Sequence, residues 1–143
     1  MRTLALDVGD RRVGVAVSDP LGMWARPLTV ILRRSREEDY RAIAGLVEEY
    51  EVERVVVGHP LHMSGEVGAQ ARRVERYAAG LAEYLSVPVV LWDERLSTAE
   101  AEQVLREKGE LSRRSRSRID AVAAAVILQS YLDAAEEREK TGE

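Results

Sequence analysis

The sequence predicts a single α/β domain built on a mixed five-stranded sheet with helices packed against it. Hydrophobic periodicity gives the element order β-β-β-α-β-α-β-α-α, and no linker or internal repeat interrupts it. Three strands with short connections predict an antiparallel unit, while two later strands, each reached through a helix, predict parallel pairing. We therefore expect one domain over residues 1–137, followed by a tail at 138–143 that frays.

The first three strands follow from the N-terminal apolar segments. Residues 3–8 form a mostly buried strand, and residues 13–18 form a second strand after the turn at 9–12, Gly-Asp-Arg-Arg. A short turn between two apolar runs is typical of an antiparallel hairpin. Residues 27–32 provide the third strand and complete the antiparallel unit.

Helices and strands alternate in the rest of the chain. Ser35 and Glu38 form a capping box that predicts a helix to about Tyr50. A second capping box begins at Ser97, and Gly109 is placed to end the helix that follows it. The other predicted elements are a strand at 54–58, a helix at 68–85, a strand at 87–92 and a last helix at 116–137.

Composition excludes several classes of protein. The 143 residues include no cysteine and two histidines, which rules out a disulfide framework, a thiolate zinc site, a cysteine nucleophile and a histidine-rich metal cage. The longest apolar run, residues 121–128, is far shorter than the roughly 20 residues that cross a bilayer. The N-terminus also lacks the pattern of a signal peptide. We expect a cytoplasmic protein without a membrane partner.

Four acidic residues are notable because their neighbours are apolar. Asp7 lies near the end of the first strand, Asp93 and Glu94 follow the fifth, and Asp120 lies in the small apolar stretch of the last helix. Burying a carboxylate is costly unless it is paired or binds a metal. Acids at strand ends and on one packed helix can converge at one sheet edge, where oxygen ligands suit Mg²⁺ or Mn²⁺. Such a cluster is typical of metal-dependent phosphodiester hydrolysis.

Each of these acids also has a structural interpretation. Asp7 could accept backbone hydrogen bonds from the turn that follows it, and the pair at 93–94 could bind an arginine or cap the next helix. Asp120 lies three residues after Ser117, so these two residues also resemble a capping box. The residues alone leave the catalytic and structural interpretations open.

A basic run at residues 113–118 is the strongest indication of nucleic-acid binding. It contains four arginines and no acid, and it leads into the helix that carries Asp120. Cations at a helix N-terminus oppose the helix dipole, and a phosphate backbone nearby would offset that cost. The alternative is a solvated start of the helix.

Other residues are weaker candidates for substrate contacts. The glycine-containing first hairpin could cradle a phosphate or simply turn the chain. His59 and His62 could contact substrate or donate a proton, although solvated loop histidines are commoner. Trp24 and Trp92 could stack on bases, and core packing is favoured for Trp92.

Four sequence blocks resemble the YqgF/RuvX family. They are DVGDRRVGVAVSD at 7–19, VVGHPL at 56–61, DERLST at 93–98 and IDAVAA at 119–124, within a match that extends from residue 3 to residue 132. The resemblance implies a ribonuclease-H-like fold related to the Holliday-junction resolvase RuvC. It also implies a cytoplasmic, metal-dependent nuclease. Members of this family are described as processing nucleases for pre-16S rRNA, and some as junction resolvases.

The resemblance implies a role for particular residues. The catalytic acids are Asp7, Glu94 and Asp120, and the metal ligands for Mg²⁺ or Mn²⁺ are these three with Asp93, the choice between Asp93 and Glu94 staying open. No organic cofactor is implied. The expected nucleic-acid contacts, from the matching blocks and the basic run, are Arg11, Arg12, Arg95, Ser97, Thr98, Arg113, Arg114 and Arg116.

The sequence departs from related enzymes at two positions. Many ribonuclease-H-like enzymes have an acid on the fourth strand, where this chain has Val-Val-Val-Gly at residues 55–58. RuvC-like enzymes also tend to carry a second acid on the last helix, at the position of Ala123. The pair at 93–94 must therefore replace the fourth-strand acid.

Three functions are compatible with the sequence. The leading one is a nuclease, monomeric or homodimeric, that acts on structured RNA or branched DNA. The second is a nucleic-acid-binding processing factor without catalysis. The third rests on the first hairpin, which resembles that of sugar kinases and actin-like ATPases, but 143 residues leave no room for the two domains and second phosphate loop of those proteins.

Overall fold

The sheet has five strands in the order β3-β2-β1-β4-β5, so the first strand lies at its centre. The computed structural model describes residues 1–97, 99–109 and 119–140. β1 pairs antiparallel with β2 and parallel with β4, β2 pairs antiparallel with β3, and β4 pairs parallel with β5. The strands are β1 (Thr3–Val8), β2 (Arg12–Ser18), β3 (Ala25–Leu32), β4 (Arg54–His59) and β5 (Val89–Asp93). The predicted mixed five-stranded α/β fold is confirmed.

Four helices flank the sheet in the described part of the chain. They are α1 (Arg36–Glu49), α2 (Ala69–Tyr84), α3 (Ala99–Glu107) and α4 (Ile119–Lys140), with a short 3₁₀ helix (Glu94–Leu96) directly after β5. The predicted start of the last helix at residue 116 lies outside the described residues, as do residues 141–143 of the predicted tail. No helix in the described ranges is long and apolar enough to cross a bilayer.

The two faces of the sheet bury different cores because side chains alternate along a strand. Leu4, Leu6 and Val8 of β1 face the layer made by α1 and α2. Ala5 faces the layer that contains α4, as do the small side chains of neighbouring strands. Asp7 follows Ala5 by two residues, so its carboxylate is directed to the α4 face.

Gly14, which has no side chain, and Gln129, which is polar and buried, fix α4 against this face of the sheet. Gly14 of β2 lies opposite Asp7 in the strand register, and a Cβ atom on Gly14 would overlap the backbone carbonyl of Asp120. Further along α4, the buried side chain of Gln129 accepts a hydrogen bond from the backbone of Ala25 (2.9 Å) and donates one to the carbonyl of Met23 (3.1 Å). These contacts set the depth and register of α4, and therefore the position of Asp120.

The predicted helix caps have different outcomes. Ser35 caps α1, and its hydroxyl accepts a hydrogen bond from the backbone of Glu38 (3.1 Å). Ser97 ends the 3₁₀ helix instead of capping α3, since its hydroxyl has no hydrogen-bond partner among the described residues. The capping prediction for Ser97 is therefore wrong. Gly109 follows α3 with a φ of 75°, a conformation that favours glycine, as its predicted role requires.

Candidate active site

Asp7 and Glu94 meet at one edge of the sheet, although they lie 87 residues apart in the sequence. Asp7 is near the carboxyl end of the central strand, and Glu94 begins the 3₁₀ helix directly after β5. β1, β4 and β5 run parallel, so their carboxyl ends share this edge. The two half-buried side chains are hydrogen-bonded to each other.

Burial raises the pKa of both carboxyl groups, although the hydrogen bond from Glu94 partly offsets the effect on Asp7. Desolvation is the largest cause for each, and it raises the pKa of Glu94 to about 7. The negative charge of Asp7 adds to the effect on Glu94, and the charge of Asp120 adds to the raised pKa of Asp7. Glu94 therefore holds the shared proton near neutral pH and donates its hydrogen bond to the Asp7 carboxylate.

Gly58 provides the space that Glu94 occupies. It lies at the end of β4, and a Cβ atom there would be 2.8 Å from Oε1 of Glu94 and 2.7 Å from Cδ1 of Ile127. This is the fourth-strand region where related enzymes carry an acid. In this chain the missing side chain at Gly58 makes room for the carboxylate of Glu94, which directly follows the next strand, β5.

Asp93 is directed away from this pair. It is in register with His59, on the sheet face opposite that of Asp7, because successive residues alternate between faces. Its carboxylate forms a two-pronged ion pair with Arg95, at 2.6 Å from Nη2 and 3.1 Å from Nε, and this contact lowers the pKa of Asp93. The structure thus brings Glu94, and not Asp93, to Asp7.

Asp120 lies near the pair but makes its own contact. Its Oδ2 accepts a hydrogen bond from Nε of Arg12 at 2.9 Å, in an ion pair that is open to solvent. Within residues 1–97, 99–109 and 119–140, no three His, Asp or Glu side chains converge closely enough to hold a metal ion. The four predicted metal ligands therefore do not form one cluster in this structure. Asp7 and Glu94 are in contact, Asp120 lies beside them, and Asp93 is directed away.

The metal-free protein is expected to lose stability as the pH rises from about 5 to about 8. The folded state keeps a proton at the Asp7–Glu94 pair that the unfolded chain has released, so the free energy of unfolding falls across this window. The shift of Glu94 from 4.5 to about 7 corresponds to about 3 kcal/mol. Solvent screening at a half-buried group reduces the expected change to about 1–2 kcal/mol.

Denaturant titrations in EDTA across this pH range measure the effect. Glu94→Gln removes the titrating group and is the control, because its unfolding free energy should depend less steeply on pH. A wild-type free energy of unfolding that falls with pH no more steeply than that of the variant would contradict the shared proton.

The other predicted contact residues are only partly gathered here. Arg95 reaches the loop after β4, where its Nη1 donates to the carbonyl of Met63 at 3.2 Å. His59 pairs with Glu75 of α2 (Nε2 to Oε2, 2.8 Å), so it is not a free loop histidine. The ring of His62 lies over Gly68, where a Cβ atom would clash with it.

Arg11 is exposed, whereas Thr98, Arg113, Arg114 and Arg116 lie outside the described residues.

The two tryptophans have structural contacts. Trp92 packs edge-to-face on Tyr131 of α4, with ring centroids 5.3 Å apart, and its Nε1 donates to Ser130 at 2.8 Å. The core role predicted for Trp92 is confirmed. Trp24 is partly exposed and carries the ammonium group of Lys108 over its ring at 4.0 Å. This contact links the end of α3 to the segment before β3.

Sequence reasoning missed a buried network on the α1 and α2 face. Asp39 is 2% exposed and accepts hydrogen bonds from Nε of Arg33 (3.3 Å), from the backbone of Arg34 (3.2 Å) and from the hydroxyl of Tyr77 (3.2 Å). Asp39 lies in the acidic first turn of α1, where it reads as an ordinary helix-dipole residue. Its position one residue before the buried Tyr40 was the available signal.

The fold is similar to those of known junction resolvases. The RuvC protein of T. thermophilus, solved in complex with a Holliday junction substrate, superposes with a TM-score of 0.63 over 95% of this chain and 96% of that one, at 21% identity. The fowlpox virus Holliday junction resolvase gives 0.54 over 94% and 99%, at 13% identity. At these identities the similarity establishes the fold. The class that the fold defines is therefore that of RuvC-like, ribonuclease-H-like sheets, and in this chain two carboxyl groups lie at the sheet edge.

Sequence comparison identifies the family within this class. The profile described as "RuvX: Holliday junction resolvase" matches residues 1–134, so the chain belongs to the RuvX family. A relative from Syntrophus aciditrophicus (strain SB), named "Putative pre-16S rRNA nuclease", is 47% identical over 94% of this chain and 89% of its own. A relative of the same name from Anaeromyxobacter sp. (strain Fw109-5) is 52% identical over 93% and 97%. The family description and the name of the two relatives both denote nucleases, so the enzyme class is that of phosphodiester hydrolases.

Proposed function

We propose that this protein is a divalent-metal-dependent endonuclease of the cytoplasm that processes the 5′ end of pre-16S rRNA. The observation that carries the proposal is the half-buried, hydrogen-bonded pair of Asp7 and Glu94 at the sheet edge. Two carboxylates held together out of bulk water are costly without a cation. Strongly shifted pKa values of this kind are typical of functional sites.

The donor chemistry of this pair fits a hard divalent cation. Asp7 and Glu94 offer carboxylate oxygens, which are the ligands that Mg²⁺ and Mn²⁺ prefer. Asp120 is the third candidate ligand, held beside the pair by its contact with Arg12. A bound cation would polarise the scissile phosphate and activate the attacking water.

The residues of the chain supply the rest of the mechanism. Glu94 must release the proton that it shares with Asp7 before both carboxylates can act as ligands. Arg12 has an exposed guanidinium group next to Asp120, where it can bind a substrate phosphate. Arg95 ties the loop after β4 to the β5 end of the site, and so limits the space beside Glu94. Positioning and electrostatic stabilisation are the expected sources of catalysis.

Asp120→Asn is expected to reduce cleavage by at least about tenfold while changing the free energy of unfolding by less than about 1 kcal/mol. The ion pair with Arg12 is open to solvent and contributes little, and the substitution also removes a charge that repels Asp7. Denaturant titrations in EDTA and a cleavage assay with Mn²⁺ measure the two effects.

Asp133→Asn is the matched control for this variant. It removes an aspartate from the same helix, about 20 Å further along its axis, and cleavage should stay at the wild-type level. An Asp120→Asn variant that is clearly less stable yet still cleaves at the wild-type rate would make Asp120 a structural residue.

The experiment that tests the proposed function offers the purified protein several substrates side by side. They are a precursor 16S rRNA with its 5′ extension, a four-way DNA junction and a plain DNA duplex, each with Mg²⁺, Mn²⁺ or EDTA. We expect metal-dependent cleavage of the precursor rRNA that Glu94→Gln abolishes and Asp133→Asn does not. Binding without cleavage under every metal condition would instead support a non-catalytic processing factor.

Resolution of Holliday junctions is the second candidate function. The description of the matching family profile favours it. Symmetric cuts in a four-way junction require two active sites related by twofold symmetry, and hence a dimer. Selective cleavage of the junction by a species that sedimentation shows to be a dimer would select this function over rRNA processing.

A further inference from the structure

We propose that a cavity lined by four arginines, on the sheet face opposite Asp7 and Glu94, binds backbone phosphates of the nucleic-acid substrate. This arginine cavity is formed by the guanidinium-bearing residues Arg33, Arg36, Arg73 and Arg76. The inference rests on the proposed function, because it takes a nucleic acid as the substrate.

The arginine cavity is a defined space of about 180 Å³. Val8 lines it from the end of β1, Gly9 and Asp10 from the turn that follows, and Gln70 and Val74 from α2. Arg33 lies in the short segment between β3 and α1, and the other three arginines lie on the first turn of α1 and one side of α2. Most of its walls therefore come from, or directly adjoin, regular elements. Sites built on such elements hold their binding groups in place before the ligand arrives.

The guanidinium group of Arg33 is held in place by contacts within the protein before any ligand binds. Its Nε donates to Asp39 at 3.3 Å and its Nη1 donates to the carbonyl of Gly9 at 2.8 Å. Its Cζ lies over the Tyr77 ring, 4.8 Å from the ring centroid. Its Nη2 has no hydrogen-bond partner within the described ranges. A guanidinium group held on several sides loses little entropy when it binds a phosphate.

The other three arginines have no ion-pair partner in the part of the chain that the structure describes. Arg36, Arg73 and Arg76 form no ion pair with any described residue. Asp10 is the single acid among the described residues that line the space, and Asp39 is already occupied by Arg33. The arginine cavity is thus positive in a chain whose net charge is −4. Such uncompensated positive charge favours a polyanion.

The position of the arginine cavity favours a polynucleotide over a small anion. Asp7 and Val8 are consecutive residues of β1 and point to opposite faces of the sheet, Asp7 to the acid pair and Val8 to the arginine cavity. The two sites therefore lie back to back at one sheet edge. A strand that crosses this edge with its scissile phosphate at Asp7 and Glu94 brings a flanking phosphate to the arginines.

The test compares two double variants that remove the same charge from the same two helices. Arg36→Gln/Arg73→Gln removes arginines of the cavity from α1 and α2. Arg41→Gln/Arg72→Gln removes arginines from α1 and α2 that do not line it. Affinity for uncleaved precursor rRNA and for a four-way DNA junction is measured in EDTA over a range of salt concentrations.

The cavity variant is expected to bind more weakly and to lower the slope of log K against log salt by about 1.4 to 1.8, for two lost phosphate contacts. The control variant should keep the wild-type slope. Equal losses in the two variants, or no loss in either, would overturn the proposal. Melting temperatures of both variants verify that these exposed substitutions leave the fold intact.

A second arm distinguishes a polynucleotide from a free anion. Millimolar inorganic phosphate alone is added, and the melting temperature is measured for the wild type and both variants. A phosphate-induced rise that only the cavity variant loses, together with unchanged RNA and DNA binding by that variant, would assign the cavity to a small anion and overturn the proposal.

The cleavage assay separates this inference from the proposed function. A wild-type protein that binds through the arginine cavity but never cleaves would refute the nuclease mechanism and leave the cavity assignment standing. A wild type that cleaves while the cavity variant binds with unchanged affinity and slope would refute the cavity assignment alone.

Discussion

Asp7→Asn is expected to reduce metal-dependent cleavage by at least about 100-fold while leaving the metal-free protein as stable as the wild type or more so. Replacing a residue that only supports a metal ligand already costs about 10- to 100-fold, so removing a proposed ligand should cost no less. Stability should not fall, because the substitution removes a half-buried charge that faces Glu94 and Asp120.

The same variant has a distinct signature with metal. Millimolar Mn²⁺ should raise the melting temperature of the wild type, since the unfolded chain has no comparable site, and Asp7→Asn should lose most of this rise. Cleavage rates, denaturant titrations in EDTA and melting curves with Mn²⁺ measure the three effects. Asp7→Asn protein that cleaves at the wild-type rate would exclude Asp7 from the reaction.

Gly14→Ala is expected to destabilise the protein by about 2 kcal/mol or more and to abolish cleavage. The added methyl group would overlap the backbone carbonyl of Asp120, and neither the strand nor the start of α4 can yield as a flexible side chain would. α4 must therefore shift away from β2, and Asp120 moves with it. Denaturant titration and the cleavage assay measure both effects.

Gly45→Ala is the matched control for the glycine substitution. Gly45 lies within α1 and has open space where its Cβ atom would be, so alanine should stabilise the helix by about 0.5–1 kcal/mol and leave cleavage unchanged. If Gly14→Ala is as stable as the wild type and equally active, α4 does not rest on β2 as closely as the structure shows.

Local sequence patterns were sufficient to predict most of the fold. The turn between β1 and β2, the Ser35 cap of α1 and the buried face of α2 each depend on residues within one or two turns of chain. Ser97 is the exception, because a 3₁₀ helix directly follows β5 and Ser97 ends that helix. A capping pattern in the sequence does not show which of two adjacent helices a serine will end or begin.

The candidate site could be predicted as a list of acids but not as an arrangement. Asp93 and Glu94 are equivalent in the sequence, and only the alternation of faces at the end of β5 directs Glu94 toward Asp7. The pairing of Asp120 with Arg12 joins residues 108 positions apart, so no local pattern predicts it. The arginine cavity could not be predicted for the same reason, since its residues come from separate segments of the chain.

The order of elements also determines when activity arises during synthesis of the chain. Asp7 is synthesised before the helix that covers it, which follows all five strands of the sheet in the chain. Until α4 packs on the sheet, Asp7 and Glu94 stay in contact with water and lack the burial that raises their pKa values. A growing chain therefore has no complete site, and the proposed nuclease stays inert toward neighbouring RNA until residues well beyond Asp120 have been added.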